Sequence, residues 1–189
     1  MQDFDVVIVG GGPAGAACAR GLNESGLEVV VLDKVDFPRD KLCAGWLTPR
    51  VFRLLGVEPG AYSGDLSEFR RLHFHFPHGI HIPFPTRQYA IRRYEFDHWL
   101  LVRSGVRFIR HHVRSIKRIT DDNEESFVLD DRFRARYLVG AGGSTCPVAR
   151  MAAAPKIGKA DEGLLAALEA EFSYPWKNRE CHLWFSEHG

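Results

Sequence analysis

The 189-residue sequence lacks the features that mark several common protein classes. No apolar run reaches the roughly 18 residues that indicate a membrane-spanning helix. Lys and Arg number 25 against 24 Asp and Glu, so the net charge of +1 gives no reason to expect a nucleic-acid partner. There is no internal repeat and no low-complexity tract. What is left is a globular protein of one domain or one and a half, whose ordinary apolar content can form a sizeable core.

Cysteine is scarce and widely spaced. The four cysteines are Cys18, Cys43, Cys146 and Cys181, and no two of them form a CxxC pair. Without such a pair and without a recognisable signal peptide, we expect reduced thiols in a cytoplasmic protein.

Histidine is concentrated in one short segment, at positions 73, 75, 78 and 81. No Cys, Asp or Glu lies among these histidines at ligand spacing. The sequence therefore predicts solvent-facing strand residues and no metal site.

Glycine is concentrated where a first strand should meet a first helix. The apolar run at residues 4–9 predicts a buried parallel strand, and the small residues at 14–22 predict a helix packed closely on it. Between them, Gly10, Gly12 and Gly15 have GxGxxG spacing. In that motif the glycines allow a tight turn, close approach of a pyrophosphate, and close helix–strand packing, respectively. The sequence thus predicts an anion-binding turn at a helix N-terminus.

A second apolar strand at residues 28–32 supplies the context that this motif needs. It ends in Asp33, at about the 20-residue spacing after the glycines that suits a carboxylate binding a ribose hydroxyl. The next residue, Lys34, suits either a ribose phosphate or a solvated surface charge. The motif alone leaves FAD and NAD equally open.

The rest of the chain predicts a discontinuous α/β organisation. Alternating residues at 71–84 predict an antiparallel hairpin with its turn at 77–79. The other predicted elements are helices at 49–55 and 93–103, strands at 106–109, 113–119 and 126–129, a buried parallel strand at 137–140, and two antiparallel strands at 164–172 and 181–185, the first of which could equally be helical.

Four segments resemble the FAD-dependent oxidoreductases of the geranylgeranyl reductase type, within the para-hydroxybenzoate hydroxylase-like flavoprotein group. They are DFDVVIVGGGPAGAACAR, FPRDKLCAGWLTPR, IRRYEFDHWLL and YLVGAGGSTCPVAR, in the family's order and spacing. The resemblance covers residues 1 to about 155. It implies a Rossmann-like FAD-binding domain with a mostly parallel sheet (residues 1–65 and 87–160), interrupted by part of an antiparallel substrate domain (66–86 and 161–189).

The same resemblance implies roles for individual residues. Cys43, in a Cys-Gly-Gly-like element near the isoalloxazine and substrate, is the candidate catalytic residue, although a packed small side chain is an equal alternative. Nearby Arg39 and Lys41 favour its thiolate form. The implied cofactor-binding residues are Gly10, Gly12, Pro13, Ala14, Gly15, Asp33, Lys34, Arg39, Lys41, Cys43, Ala44, Gly45, Arg93, Gly140, Gly142 and Gly143.

Two departures from the family pattern qualify this interpretation. Gly142 stands where the second nucleotide loop usually has Asp. The family's third cofactor motif, a downstream Gly-Asp, and its aromatic substrate motif are both missing. The chain is therefore expected to be the N-terminal half of a longer enzyme.

Three functions follow as hypotheses. The first is reduction of C=C bonds in an isoprenoid or similar apolar substrate, which would be a small molecule or a lipid. FAD would be the cofactor and NAD(P)H a candidate electron donor. A lipid substrate would allow peripheral contact with a membrane. The second is a flavin-dependent hydroxylase. A halogenase is disfavoured, because no lysine lies between Lys41 and Lys117 and no WxWxIP motif occurs. The third is a non-catalytic, truncated FAD-binding fragment.

Overall fold

A computed structural model describes residues 1–121, 124–152, 167–173, 175 and 179–187. The chain divides into two compact units: Met1–Arg39 with Asp97–Ala166, and Asp40–Phe96 with Ala167–Gly189. The domain boundaries given by the resemblance stay a prediction.

The described residues form ten strands and four α-helices. The strands are β1 (Gln2–Val9), β2 (Val29–Asp33), β3 (Trp46–Leu47), β4 (Leu66–His75), β5 (His81–Ile91), β6 (Arg107–Arg110), β7 (Ile116–Asp121), β8 (Glu124–Leu129), β9 (Phe133–Gly140) and β10 (Glu180–Trp184). The helices are α1 (Pro13–Leu22), α2 (Pro49–Leu54), α3 (Arg93–Arg103) and α4 (Pro147–Ala152). In the part of the chain that the structure covers, no helix is long and apolar enough to cross a membrane.

The first unit is built on a six-stranded sheet with the strand order β6-β2-β1-β9-β8-β7. The first four of these strands are parallel, and β8 and β7 continue the sheet in antiparallel fashion. The centre of the sheet is fully buried, as the side chains of Val7, Val30 and Leu32 show. These residues have the β-branched or aliphatic side chains that fit a strand covered on both faces. The predicted α/β fold with a mostly parallel sheet is confirmed.

The second unit holds a four-stranded sheet with the order β10-β4-β5-β3. Strands β4 and β5 form the predicted antiparallel hairpin, and the tight turn Pro77–Gly79 joins them. At the turn His78 has φ +62°, a left-handed conformation that turns favour.

Three expectations for this unit are wrong. Strand β10 pairs with β4 in parallel, because a long crossover rather than a hairpin connects them. Residues 167–172 form no strand and their side chains are exposed, while residues 164–166 lie outside the described residues. The histidines of β4 do not all face solvent, because β10 pairs with this edge of the strand. His73 is buried, and the carboxylate of Glu180 lies next to it.

A partly buried carboxylate joins the turn between β8 and β9 to the segment before β7. Asp130 accepts hydrogen bonds from the backbone N–H groups of Arg114 and Ser115, at 3.1 and 2.7 Å, and lies 2.7 Å from Nε2 of His111. Burial alone would raise the pKa of this carboxyl group. The hydrogen bonds from His111, Ser115 and Arg114 outweigh that effect and lower it.

Asp130→Asn should therefore destabilise the protein at neutral pH by about 1–3 kcal/mol, the usual contribution of hydrogen bonds to a charged group. A depressed pKa gives stability that is present above the unfolded-state pKa and lost as the pH falls through the folded-state value. The difference between wild type and variant should thus shrink below about pH 4. Urea unfolding at pH 7 and pH 3 measures it.

Asp131→Asn is the matched control, because Asp131 has the same left-handed backbone but an exposed carboxylate paired with Lys117. We expect a change of less than about 1 kcal/mol there, as for other exposed ion pairs. Equal losses in the two variants would contradict the role given to Asp130.

Candidate functional site

Two glycines, one in the turn between β1 and α1 and one in the first turn of α1, are required by the protein's own packing. Gly10 has φ +116°, and a Cβ atom added to it would lie 2.3 Å from the carbonyl oxygen of Ala141. A Cβ atom added to Gly15 would lie 1.8 Å from the carbonyl oxygen of Gly10. No real side chain fits at such distances, so these glycines let the first helix and the second glycine loop approach the strand end.

Gly12 is different, because the described protein atoms leave room beside it. A Cβ atom added there would meet only Nη2 of Arg39, at 3.5 Å, and its φ of −71° suits any residue. Gly12 is the N-cap of α1, makes no side-chain cap, and is followed by no acidic residue in the first turn. The bare backbone therefore faces open space at the positive end of a helix, which is the arrangement that binds a phosphate. Pro13 and Ala14 form the start of that first turn.

The carboxylate at the end of β2 is hydrogen-bonded to this turn. Asp33 Oδ2 accepts a hydrogen bond from the backbone N–H of Gly11 at 2.8 Å, and its Oδ1 accepts one from Val35 at 3.3 Å. Each carboxylate oxygen has a second lone pair, so both bonds leave acceptor capacity for a ribose hydroxyl. The ribose-binding role stays a prediction, as does any role for the exposed Lys34.

A cation is held next to the same turn by a buried acid. Arg39 Nη2 lies 3.3 Å from Oδ2 of Asp97, whose side chain is 0% exposed. The Arg39 guanidinium also stacks over the ring of Phe37, 4.9 Å from its centroid. Its Nε is buried and has no hydrogen-bond partner among the described residues. The guanidinium therefore lies beside Gly12 through its Nη2 atom, and the ion pair with Asp97 holds it there.

Sequence reasoning missed Asp97. The residue lies in the predicted helix next to the inward-facing Phe96, and a carboxylate on the buried side of a helix needs a cationic partner. The position of Asp97 on the helix was the sequence feature that could have indicated a buried ion pair.

The second glycine loop packs against the turn that follows it. Cβ atoms added to Gly140 and Gly142 would lie 2.9 Å from Cβ of Val148 and 3.2 Å from Cα of Cys146. An Asp at position 142, as the family usually has, would have to displace Cys146. At Gly143, with φ +74°, an added Cβ atom would meet none of the described residues within 4 Å. The part that this loop plays in cofactor binding stays a prediction.

The second unit contains a cavity of about 440 Å³ beside Cys43. We call it the Cys43 cavity, and its lining includes four of the predicted site residues, Lys41, Cys43, Ala44 and Arg93. Gly45 lies beyond it, with φ +66°, and accepts a backbone hydrogen bond from Ile91 at 3.0 Å.

Two glutamates that the sequence analysis did not select complete this lining. Glu169 Oε2 accepts a hydrogen bond from the backbone N–H of Cys43 at 2.8 Å, and Glu171 forms an ion pair with Arg92 at 2.9 Å. The sequence analysis predicted a strand, or equally a helix, for their segment, and gave no reason to place it beside Cys43. The cavity wall therefore combines the Cys43 thiol with charges of both signs, groups that could orient a polar end of a substrate or transfer a proton.

Comparison with known proteins agrees with the glycine turn. The family described as "FAD binding domain" matches residues 3–66. An uncharacterized protein from Methanosarcina barkeri is 36% identical over 154 residues, which cover 76% of this chain and 38% of that protein. Digeranylgeranylglycerophospholipid reductase 2 from Methanopyrus kandleri is 30% identical over 160 residues, covering 80% of this chain and 40% of its own length. The chain thus spans about two fifths of the length of these relatives.

The fold also matches solved structures. The crystal structure of halogenase PltM in complex with phloroglucinol and FAD superposes with a TM-score of 0.63 and 19% identity, covering 78% of this chain and 36% of that one. At this identity the similarity concerns the fold alone.

Proposed function

Because this chain is related to the FAD-dependent oxidoreductases of the geranylgeranyl reductase type, we propose that it serves to reduce carbon–carbon double bonds of an isoprenoid or similar apolar substrate. The observation that supports cofactor binding is the open backbone at Gly12 with the Arg39 guanidinium beside it. The reaction itself is proposed from the similarity to the reductase of Methanopyrus kandleri. FAD, when bound, supplies the hydride transfer, and the protein supplies binding and orientation.

Residues of the first unit suit two parts of a dinucleotide, its anionic pyrophosphate and its polar ribose. The N–H groups at the start of α1 and the Arg39 guanidinium would bind the pyrophosphate, and Asp33 would accept a hydrogen bond from the adenosine ribose. The space beside Gly12 suits this group, since packing of the described residues leaves that side free for a ligand.

The residues of the Cys43 cavity would serve the substrate side of the reaction. One carbon of the double bond must receive a proton, and we assign its delivery to a group near Cys43, whose side chain is exposed. Lys41 and Arg93, which also line the cavity, would bind an anionic head group of the substrate. NAD(P)H is the proposed source of electrons.

The test measures cofactor and product separately. Titration with FAD, followed by desalting, should leave flavin absorbance on the protein. The protein, reduced by dithionite and given a polyprenyl substrate, should then yield products heavier by two hydrogens for each double bond reduced, as read by mass spectrometry.

Two results would contradict the proposal in different ways. Retained flavin without any reduced product would support a non-catalytic FAD-binding role. Oxygen-dependent NADPH consumption coupled to a hydroxylated product would support a hydroxylase.

A further inference from the structure

Five polar side chains from three neighbouring strands of the second unit come together on its sheet. In the pairing of β10 with β4, His182 lies opposite His73, and in the pairing of β4 with β5, His75 lies opposite His81. Glu180, two residues before His182, projects from the same side of β10, since strand side chains alternate. We call these residues the histidine cluster.

Three members of the cluster offer ligand atoms to one point. Nε2 of His73 lies 3.5 Å from one carboxylate oxygen of Glu180, and Nε2 of His182 lies 3.8 Å from the other. The three ligand atoms all lie within 4.8 Å of one another. The rings of His73 and His182 are stacked with centroids 4.5 Å apart, which fixes their orientation.

The other two histidines, His81 and His75, contact the second ring nitrogen of His73 and of His182, respectively. Nδ1 of His73 lies 2.8 Å from Nε2 of His81, and Nδ1 of His182 lies 2.9 Å from Nε2 of His75. In the tautomer with the proton on Nδ1, His73 and His182 donate to these histidines, just as metal-binding histidines donate their second N–H to a neighbouring acceptor, and the Nε2 lone pair is then free for the metal. Nε2 of His73 is buried and makes no hydrogen bond among the described residues.

We propose that His73, His182 and Glu180 bind one divalent transition-metal ion of the zinc class. Two imidazole nitrogens and one carboxylate oxygen form a recognised zinc ligand set, with the fourth position of the tetrahedron left to water or another ligand. Around zinc, with bonds of about 2.0–2.2 Å, ligand atoms lie about 3.3 Å apart. Small side-chain rotations would bring the three ligand atoms, which now lie within 4.8 Å of one another, to this separation.

One cation competes for this carboxylate. Arg71 Nη1 lies 3.2 Å from the oxygen of Glu180 that faces His73, and the Arg71 side chain is 56% exposed. An exposed arginine can turn into solvent at little cost, so metal binding should displace it or share the carboxylate with it. Without metal, the same contacts form an ion-paired imidazole network, which is the alternative that the experiment must exclude.

The metal would join β10 to β4. These strands supply all three ligands, and β10 lies at the edge of its sheet. A bound ion should therefore raise the unfolding temperature, by the mass action that favours the state able to bind it. The proposal rests on the second unit alone and does not depend on the proposed flavin chemistry.

The test uses tag-free, chelator-treated protein titrated with Zn²⁺ by calorimetry and with Co²⁺ by visible spectroscopy. We expect one ion per chain, tetrahedral Co²⁺ absorption and a higher unfolding temperature with Zn²⁺. Glu180→Gln and His182→Asn should weaken Zn²⁺ binding at least about tenfold, and His75→Asn should weaken it by about 10–100-fold through lost orientation.

Matched controls separate the site from surface histidine and carboxylate groups. His112→Asn and Glu187→Gln change exposed residues outside the cluster and should bind Zn²⁺ like wild type. Glu180→Gln keeps the shape of the side chain, so it remains informative if a histidine variant does not fold. Absence of Zn²⁺ binding in wild type, or equal affinity in wild type and Glu180→Gln, would overturn the proposal in favour of the ion-paired network.

Discussion

Gly15→Ala should lower the free energy of unfolding by about 3 kcal/mol, the upper range for overpacking a well-packed interior. The added Cβ would lie 1.8 Å from the carbonyl oxygen of Gly10, a backbone atom that cannot rotate away. Helix α1 would have to move off the strand end, and the glycine turn before it would move as well. Urea unfolding followed by circular dichroism measures the loss.

Two other glycines provide controls for this change. A Cβ atom added to Gly21, in the same helix, meets no described residue within 4 Å, so Gly21→Ala should stabilise the protein by about 0.5–1 kcal/mol. Gly12→Ala should leave stability nearly unchanged and weaken FAD binding, since its methyl group would enter the open space. A Gly15→Ala variant as stable as wild type would contradict the packing argument.

Asp97→Ala should cost about 3–5 kcal/mol of stability, the usual result of removing one partner from a buried ion pair. The Arg39 side chain is only 17% exposed, so its charge would be left inside the protein without the Asp97 carboxylate. Thermal or urea unfolding of the single variant measures this effect.

A double variant tests the cause. Replacing both partners with apolar residues, Arg39→Met with Asp97→Leu, should recover much of the stability, because no buried charge remains. FAD affinity should be lower in the double variant than in the wild type, since the guanidinium is gone. If the double variant is as unstable as Asp97→Ala, the loss comes from packing or from other contacts of Asp97 rather than from the stranded charge.

Features set by neighbouring residues could be predicted from the sequence. The glycine turn, the hairpin around Pro77–Gly79 and the buried strands at residues 4–9 and 28–32 follow from local composition and alternation, and the structure contains them. The strand predicted at 137–140 is parallel as expected, but the expectation that it is buried is wrong, because its buried residues lie earlier in β9 and Tyr137 is 52% exposed. The contact of Asp33 with the turn also follows, because parallel strands end at the same sheet edge.

Features set by distant pairing could not be predicted. The direction of β10 depends on how the chain returns to β4, and no local pattern encodes that path. The meeting of His73 with Glu180, and of Cys43 with Glu169, depends on the same kind of long return. The histidine segment has no acidic residue at ligand spacing in the sequence. The acid that joins it, Glu180, lies 109 residues after Arg71, which is two residues before His73.

The late position of β10 has a consequence for synthesis of the protein. During translation the β4–β5 hairpin emerges long before β10, so one edge of β4 has no strand beside it while much of the first unit's sequence is made. Unpaired strand edges template association with other chains, and closing a long loop is slow. Nascent chains of this protein should therefore depend on chaperones most during the interval before residues 180–184 leave the ribosome.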